Sequence, residues 1–202
     1  MLAGEPYHRR ISANPGDRRT RERFLRLALG LLAPGQRLLD FGAGTGLDAK
    51  AYAAAGHTVW AYDPDAAQRS YLADYCRDEI ARRAVIPAPF PPAEKLTAIT
   101  ANFAVLNLIS DLAGLFDSFA QLLDEEGFVL VSLLNPYFLG DARYGWWRAN
   151  LLRLLRNDHY AVGQVHRYRP KRVARSAAPH FRLEEIHGLP ARRYLFLLFR
   201  RV

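Results

Sequence analysis

The chain has 202 residues, a formal net charge of +8 at pH 7 and a hydrophobic content of 50%. Its length and apolar content suit one domain over residues 1–202, with a buried core that needs no disulfide bonds. Cys76 is the only cysteine, which excludes a disulfide framework and a paired-cysteine metal site, so we expect no bound metal.

The first 23 residues are polar and rich in arginine, and they contain no apolar signal core. No run approaches the roughly 20 apolar residues that span a bilayer, so we expect a cytoplasmic protein without a membrane segment. Lysine occurs only at positions 50, 95 and 171, so arginine carries most of the positive charge. We expect solvated arginine-rich faces. An acidic substrate or an acidic carrier protein is the alternative, and a nucleic-acid partner is permitted but not required.

The sequence predicts that residues 1–33 form an N-terminal arm followed by an amphipathic helix over 17–33. Asp17 is expected to cap this helix, and Pro34-Gly35 is expected to end it. Tyr7 lies in the arm, so it is a weak contact candidate if the arm folds over a site.

A glycine turn follows the first predicted strand, Arg37 to Phe41. Glycines occupy positions 42, 44 and 46 of this turn. The chain direction changes sharply there, and side chains would keep a ligand away from the backbone.

A helix over 47–55 begins directly after the turn, so its first amide groups can face an anionic group. The second strand, His57 to Tyr62, is expected to bring Asp63 to the same sheet edge as the glycine turn. A carboxylate in that place can accept hydrogen bonds from both hydroxyls of a ribose.

The rest of the chain continues to alternate between helices and strands before it ends in a hairpin. The pattern predicts a helix over 66–83, a weak strand over 84–86, a proline-rich loop over 87–92, a strand over 96–102, a helix over 112–123 and a strand over 128–134. This alternation implies right-handed crossovers and a doubly wound α/β fold with a mostly parallel, Rossmann-like sheet. The final hairpin joins Phe181 to Ile186 with Tyr194 to Val202 through a turn at Gly188 to Ala191.

Residues 136–180 form an insertion rich in aromatic residues and histidine, which we expect to cover the substrate. Within it, a helix over 142–156 is predicted to have an apolar face. That face would comprise Trp146, Trp147, Leu151, Leu154 and Leu155. His159 and His166 are the candidates for a catalytic base, with packing or solvent exposure as their alternative role. Structural roles are expected for His57, His180 and His187, which lie next to strands.

The segment Leu38-Leu39-Asp40-Phe41-Gly42-Ala43-Gly44-Thr45-Gly46 resembles the first motif of the class I S-adenosylmethionine-dependent methyltransferases. The resemblance continues through Asp63-Pro64, Asn102 to Asn107 and Leu122 to Val131, and covers residues 18 to 135. A dinucleotide motif GxGxxG would need glycine at position 47, where this chain has leucine. The resemblance implies S-adenosylmethionine as cofactor and a seven-stranded sheet with an antiparallel C-terminal hairpin strand.

The resemblance also implies roles for single residues around the cofactor. It implies that Gly42, Ala43, Gly44 and Gly46 form the cofactor loop, and that Asp40 holds this loop and the amino group of the cofactor. It further implies that Asp63 binds the ribose and that Pro64 borders the adenine. Asn102 and Phe103 would line the side of the site where the methyl group is transferred. Two alternatives stay open: Asp63 as the N-cap of a helix starting near Asp65, and a glycine turn without a ligand.

Two departures from the family pattern concern the adenine. No carboxylate occurs in Ile86 to Pro92, where the family often binds the adenine amino group. Lys95-Leu96 replaces the usual acid at the start of the fourth strand. We therefore expect backbone groups or apolar packing to recognise the adenine.

A sulfonium methyl donor is already activated by its charge, so an enzyme mainly binds, orients and excludes water. We expect methyl transfer to O or N of a small-molecule acceptor, free or tethered to a carrier. Asn102-Phe103-Ala104-Val105 lacks the Asn/Asp-Pro-Pro-aromatic motif of nucleic-acid amino-group methylation, so nucleic acid is not the expected acceptor. Three alternatives stay open: an RNA methyltransferase, a cofactor-binding protein without catalysis, and a nicotinamide-dependent oxidoreductase.

Overall fold

The computed structural model describes residues 3–188 and 192–202. Its Cα atoms cluster into two compact units. The first comprises Met1–Asn102 and Leu122–Gly127, and the second comprises Phe103–Gln121 and Phe128–Val202. A single domain over residues 1–202 stays a prediction. Most of the expected turn at Gly188 to Ala191, namely residues 189–191, lies outside the described residues.

Strands and helices alternate through the first two thirds of the chain. The strands are β1 (Arg37–Phe41), β2 (Thr58–Tyr62), β3 (Val85–Pro87), β4 (Leu96–Ala101), β5 (Leu123–Leu134), β6 (His159–Val162), β7 (Val165–Tyr168), β8 (Phe181–His187) and β9 (Tyr194–Arg201). The α-helices are α1 (Gly4–Ala13), α2 (Pro15–Leu31), α3 (Leu47–Ala54), α4 (Ala66–Tyr75), α5 (Arg77–Ala81), α6 (Leu112–Leu122), α7 (Gly145–Asn157) and α8 (Pro170–Ala177). Short 3-10 helices lie at Val105–Leu108 and Leu139–Asp141.

The main sheet has seven strands in the order β3-β2-β1-β4-β5-β9-β8. β1 pairs in parallel with β2 and β4, and β2 pairs in parallel with β3. β9 is antiparallel to both β5 and β8. The predicted doubly wound, mostly parallel α/β sheet with an antiparallel C-terminal hairpin strand is therefore confirmed. β6 and β7 form a separate antiparallel pair within the insertion.

The N-terminal region contains more helix than we expected. α2 begins at Pro15, because the Asn14 side chain accepts hydrogen bonds from the amides of Gly16 and Asp17 at 2.8 and 3.1 Å. The prediction that Asp17 caps this helix is therefore wrong. α1 forms ahead of it, in the segment that was expected to be an arm.

The helix predicted over 66–83 is divided at Cys76. The Cys76 side chain is fully buried, and its Sγ lies 3.6 Å from the Gly46 carbonyl oxygen. The backbone leaves the helical region at Cys76, with φ −102° and ψ 22°, and α5 starts at the next residue. Burial of a thiol against the glycine turn is a long-range contact that the helical pattern could not indicate.

The insertion contains the expected helix, but α7 starts at Gly145 rather than at 142 because a 3-10 turn precedes it. Leu154 is fully buried, as expected for the apolar face. Leu155 is 54% exposed, so the predicted apolar face is only partly buried. α7 ends at Asp158, whose φ of 59° is left-handed.

Each unit has its own core. In the first unit, fully buried side chains come from β1, β4, α2, α3 and α4, and they include Leu38, Ile99, Phe24, Tyr52 and Leu72. In the second unit, the ring of Phe116 lies 5.7 and 5.3 Å from those of Phe181 and Phe199. These rings join α6 to the final hairpin through apolar burial.

Within the described residues, no helix combines the length and apolar character that crossing a bilayer requires. The same part of the chain contains no group of three or more His, Cys, Asp or Glu side chains placed to hold a metal ion. The cytoplasmic location stays a prediction.

Candidate cofactor site

The glycine turn joins β1 to α3 in a left-handed backbone conformation. Gly42, Gly44 and Gly46 have φ values of 77°, 55° and 83°, a region that side chains rarely adopt. The amides of Gly42 and Ala43 both donate to the Tyr62 carbonyl oxygen at 2.8 Å. The turn is therefore tied to the end of β2, as the sequence led us to expect.

Asp63 holds the next part of the turn. Its Oδ2 accepts a hydrogen bond from the Gly44 amide at 2.8 Å, and its Oδ1 accepts one from the Asp65 amide at 2.9 Å. A carboxylate has about four acceptor sites, so both oxygens can accept a further hydrogen bond. Burial raises the pKa of Asp63, although the two amides act in the opposite direction. This arrangement suits a carboxylate that accepts hydrogen bonds from the two hydroxyls of a ribose.

The alternative role of Asp63 as a helix cap is wrong, because Asp65 caps α4. The Asp65 carboxylate accepts hydrogen bonds from the amides of Ala67 and Gln68 at 2.8 and 3.0 Å. Asp63 is thus not needed to begin the helix. This leaves its carboxylate available for the turn and for a ligand.

Arg69 supports the segment that follows β2, which the sequence did not predict. Its Nη1 donates to the carbonyl oxygens of Asp63 and Pro64 at 2.9 and 2.7 Å. Pro64, the predicted neighbour of the adenine, is exposed at this point. The position of Arg69 in the first turn of α4 places its guanidinium within reach of both carbonyls.

Asp40 lies beneath the turn and is 2% exposed. It accepts a hydrogen bond from the Ala49 amide near the start of α3, while its Oδ2 has no hydrogen-bond partner among the described residues. Burial, followed by the charge of Asp48, raises the pKa of Asp40 well above its usual value. A buried acceptor without a partner fits the ammonium group that the family places here.

A chain of polar contacts connects α2, α3 and the end of β4 in the first unit. Arg21 Nε donates to Asp48 Oδ1 at 2.5 Å, and Asn102 Nδ2 donates to Asp48 Oδ2 at 2.9 Å. All three side chains are largely buried. Asn102 is therefore held in a fixed orientation. The sequence analysis did not identify Arg21 or Asp48 as part of this site. The only signal in the sequence was the position of Asp48 next to the glycine motif.

Phe103 belongs to the second unit and begins a strained segment there. Phe103 and Ala104 have φ values of 53° and 63°, which are unfavourable for residues with a side chain. The Ala104 amide donates to Ser132 Oγ at 3.1 Å, and the Phe103 ring lies 5.7 Å from that of Tyr194. These contacts compensate for the strain at the point where the predicted site residues end.

Three aromatic rings cluster at the carboxyl ends of β1 and β2. Phe41 lies 5.3 Å from Tyr62 and 5.0 Å from Phe90, and Tyr62 lies 5.4 Å from Phe90, measured between ring centroids. Phe90 comes from the proline-rich loop that lacks the family's adenine-binding acid. The cluster is consistent with the expectation that apolar packing replaces that acid.

α1 covers the outer side of the glycine turn. His8 Nδ1 and Thr45 Oγ1 are hydrogen-bonded at 3.1 Å, and the Gly4 amide donates to Gln68 Oε1 at 3.2 Å. Burial, and then the charge of Arg21, lower the pKa of His8. The N-terminal arm thus folds over the turn. This is the condition under which the sequence analysis made Tyr7 a candidate for contacting the site.

His159 and His166 face each other across the β6–β7 pair in the second unit. Their Nε2 and Nδ1 atoms are hydrogen-bonded at 2.8 Å, and the ring of Tyr168 stacks on His159 at 4.8 Å. Asn107 Nδ2 donates to the His166 carbonyl oxygen at 2.6 Å, which fixes the strand. Burial lowers the pKa of His159, followed by the charges of His166 and Arg172. The structure thus pairs the two candidate bases.

A family model described as a methyltransferase domain matches residues 9–181. The chain belongs to this methyltransferase family. The predicted resemblance to a methyltransferase family is therefore confirmed, and solved structures of class I methyltransferases with S-adenosylhomocysteine bound share the fold of this chain. Membership of this family argues against the nicotinamide-dependent oxidoreductase. The sequence of this chain matches no curated protein.

Solved methyltransferase structures have the same fold as this methyltransferase. The magnesium protoporphyrin IX methyltransferase ChlM from Synechocystis PCC 6803, with S-adenosylhomocysteine bound, has a TM-score of 0.69 and 16% identity over 96% of this chain and 92% of its own. The N-methyltransferase NodS from Bradyrhizobium japonicum WM9, also with S-adenosylhomocysteine, has a TM-score of 0.66 and 17% identity over 95% and 90%. Geranyl diphosphate C-methyltransferase from Streptomyces coelicolor A3(2) has a TM-score of 0.64 and 18% identity over 89% and 74%.

Proposed function

We propose that this methyltransferase transfers a methyl group from S-adenosylmethionine to O or N of a small-molecule acceptor. The observation that carries the cofactor assignment is the Asp63 carboxylate, which holds the Gly44 amide and keeps acceptor capacity on both oxygens. When bound, S-adenosylmethionine supplies an electrophilic methyl group. Asp63 would hold its ribose, Asp40 would attract its ammonium group, and Gly42 to Gly46 would support its methionine part.

The second unit supports the small-molecule part of the proposal. Its insertion, residues 136–180, has polar and aromatic groups fixed by hydrogen bonds. Arg169 Nε donates to the Tyr137 hydroxyl at 2.5 Å, and the Arg167 guanidinium lies 5.3 Å from the Trp146 ring. Fixed aromatic and polar groups of this kind select small ligands. ChlM and NodS, as their names state, methylate a porphyrin and nitrogen respectively.

Ion pairs within the molecule argue against RNA as the acceptor. The Asp158 carboxylate forms ion pairs with Arg169, Lys171 and Arg175, whose side-chain nitrogens lie 3.0, 2.9 and 2.6 Å from its oxygens. Arg167 pairs with Asp141 at 3.3 Å in the same insertion. Arginines engaged in this way contribute less to the phosphate binding that drives RNA affinity. The positive excess around Asp158 is compatible with an acidic acceptor, including one tethered to an acidic carrier protein.

We propose that the His159–His166 pair removes the acceptor's proton. Methylation of the acceptor O or N would leave S-adenosylhomocysteine as the second product, and the proton that the acceptor gives up would pass to an imidazole of the pair. The lowered pKa of His159 keeps its ring neutral near pH 7, as a base must be. The hydrogen bond between the rings allows the pair to share the charge that results.

The experiment is methyl transfer from labelled S-adenosylmethionine into separated small-molecule, RNA and carrier-protein fractions of a cell extract. Label in the small-molecule or carrier fraction supports the proposal, and label in RNA alone contradicts it. With the acceptor identified, His159→Gln and His166→Gln are expected to lower kcat by about 100-fold without changing the Kd of the cofactor. His180→Gln is the control, because His180 is exposed and bonds to Asp117 at 3.0 Å.

A further inference from the structure

α1 contacts other elements of the first unit at its start and near its middle. At its start, Gly4 has a φ of 62°, and a Cβ added there would lie 3.4 Å from the Ala67 carbonyl oxygen. In its middle, His8 packs between the rings of Tyr71 and Tyr75, at 4.9 and 4.6 Å. Together with the His8–Thr45 hydrogen bond, these contacts fix the helix axis relative to the glycine turn.

This docking directs Tyr7 at the central glycine of the turn. Tyr7 Cε1 lies 3.7 Å from the position that a Cβ on Gly44 would occupy. Among the described residues, apart from the neighbours of Gly44 in the chain, no other heavy atom lies within 4 Å of that position. The Gly44 amide is held by Asp63, so the phenol ring and the carboxylate approach the same residue. Tyr7 as a whole is half-buried.

Three carboxyl groups lie near the turn. Asp40, Asp48 and Asp63 lie close enough for the charges of Asp48 and Asp63 to raise the pKa of Asp40, while Arg21 is the neighbouring cation that lowers it. A ring face that carries a negative quadrupole adds attraction for a cation without adding a further buried charge. S-Adenosylmethionine carries a sulfonium charge that its product, S-adenosylhomocysteine, lacks.

We propose that Tyr7 is a cofactor-contacting residue whose ring meets the sulfonium, so that it favours the methyl donor over the demethylated product. The proposal rests on the assignment of Gly42 to Gly46 as the cofactor loop. Retention of the donor and release of the product would then depend in part on a residue of α1. The contact is lost when the sulfonium becomes a neutral thioether.

Calorimetry with S-adenosylmethionine, S-adenosylhomocysteine and the amine analogue sinefungin tests the proposal on wild type, Tyr7→Phe and Tyr7→Leu. In Tyr7→Leu, the Kd of the two cationic ligands is expected to rise about five-fold more than that of S-adenosylhomocysteine. Tyr7→Phe keeps the ring, so the ratio of the Kd values should stay at the wild-type value. Equal weakening of all three ligands in Tyr7→Leu would overturn the proposal and leave a packing role.

Two further variants separate the possible causes. His8→Gln loosens the docking of α1 that holds the Tyr7 ring at the turn, so it is expected to reproduce part of the selective loss seen in Tyr7→Leu. A fluorinated phenylalanine at position 7 keeps the ring shape and removes the negative face, so it must reproduce the selective loss even if Tyr7→Leu folds poorly. If wild type binds none of the ligands, the cofactor site itself is wrong, which is a different result from an unchanged ratio.

Discussion

Asp63 accepts a hydrogen bond from the Gly44 amide at 2.8 Å and thereby couples the end of β2 to the turn that follows β1. Asp63→Ala removes this bond together with the predicted ribose contacts. We expect the Kd of S-adenosylhomocysteine to rise about 100-fold, as for the loss of two hydrogen bonds to a charged group. Calorimetry measures this change. Undiminished binding by Asp63→Ala would refute the ribose assignment.

Asp65→Ala is the matched control for Asp63→Ala. Asp65 caps α4 through the amides of Ala67 and Gln68, so its loss is expected to cost about 1 kcal/mol of unfolding free energy. Cofactor affinity should stay near the wild-type value. The two aspartates are two positions apart in sequence, and the pair of variants therefore separates a ligand contact from a helix cap.

Gly46→Ala is expected to destabilise the first unit by about 3 kcal/mol, through strain and steric overlap. The added Cβ would lie 2.7 Å from Cys76 Sγ and 3.0 Å from Leu72 Cγ, at a φ of 83°. Urea unfolding measures the effect. Gly35→Ala has a similar φ of 72° with no atom within 4 Å among the described residues, so it should cost only about 1 kcal/mol. Equal costs would show that the Cys76 contact is unimportant.

Arg21→Met is expected to lower the unfolding free energy by about 3 kcal/mol, because it leaves the Asp48 carboxylate buried without its cation. Arg9→Met is the control. Arg9 pairs with Glu5 on the surface, where the side chains are 72% and 60% exposed, and its loss should cost less than about 0.5 kcal/mol. Urea unfolding of both variants decides the comparison. A small effect of Arg21→Met would mean that water replaces the guanidinium.

The sequence predicted the part of the fold and site that depends on local pattern. An apolar run predicts β1, and a second apolar run predicts β2. The glycines between them predict the turn, because glycine readily adopts the positive φ that the structure shows there. Because the two strands are parallel neighbours, the sheet edge then determined where Asp63 would lie. This reasoning needs no knowledge of contacts between residues distant in sequence.

Long-range polar contacts could not be predicted in this way. Arg21 is 27 positions from Asp48, and nothing in the helical pattern of α2 distinguishes it from the exposed arginines nearby. α1 was missed because Gly4 and Pro6 interrupt its first turn, and its position depends on contacts with Thr45 and Gln68. The assignment of His159 and His166 as bases stays a prediction, although their pairing is now visible.

The His159–His166 pair makes stability depend on pH. Burial, and then the charges of His166 and Arg172, lower the folded pKa of His159 below the value of about 6.5 found in unfolded chains. Between the two values the unfolded chain binds more protons, so the unfolding free energy is constant above about pH 6.5 and falls as the pH decreases below it. His8 and His57 shift in the same direction, so the difference between wild type and His159→Gln isolates this histidine. Urea unfolding from pH 7.5 to pH 5 should show a shallower decline in His159→Gln than in wild type. A steeper or unchanged decline would mean that the His159 ring is not held in its neutral form by the fold.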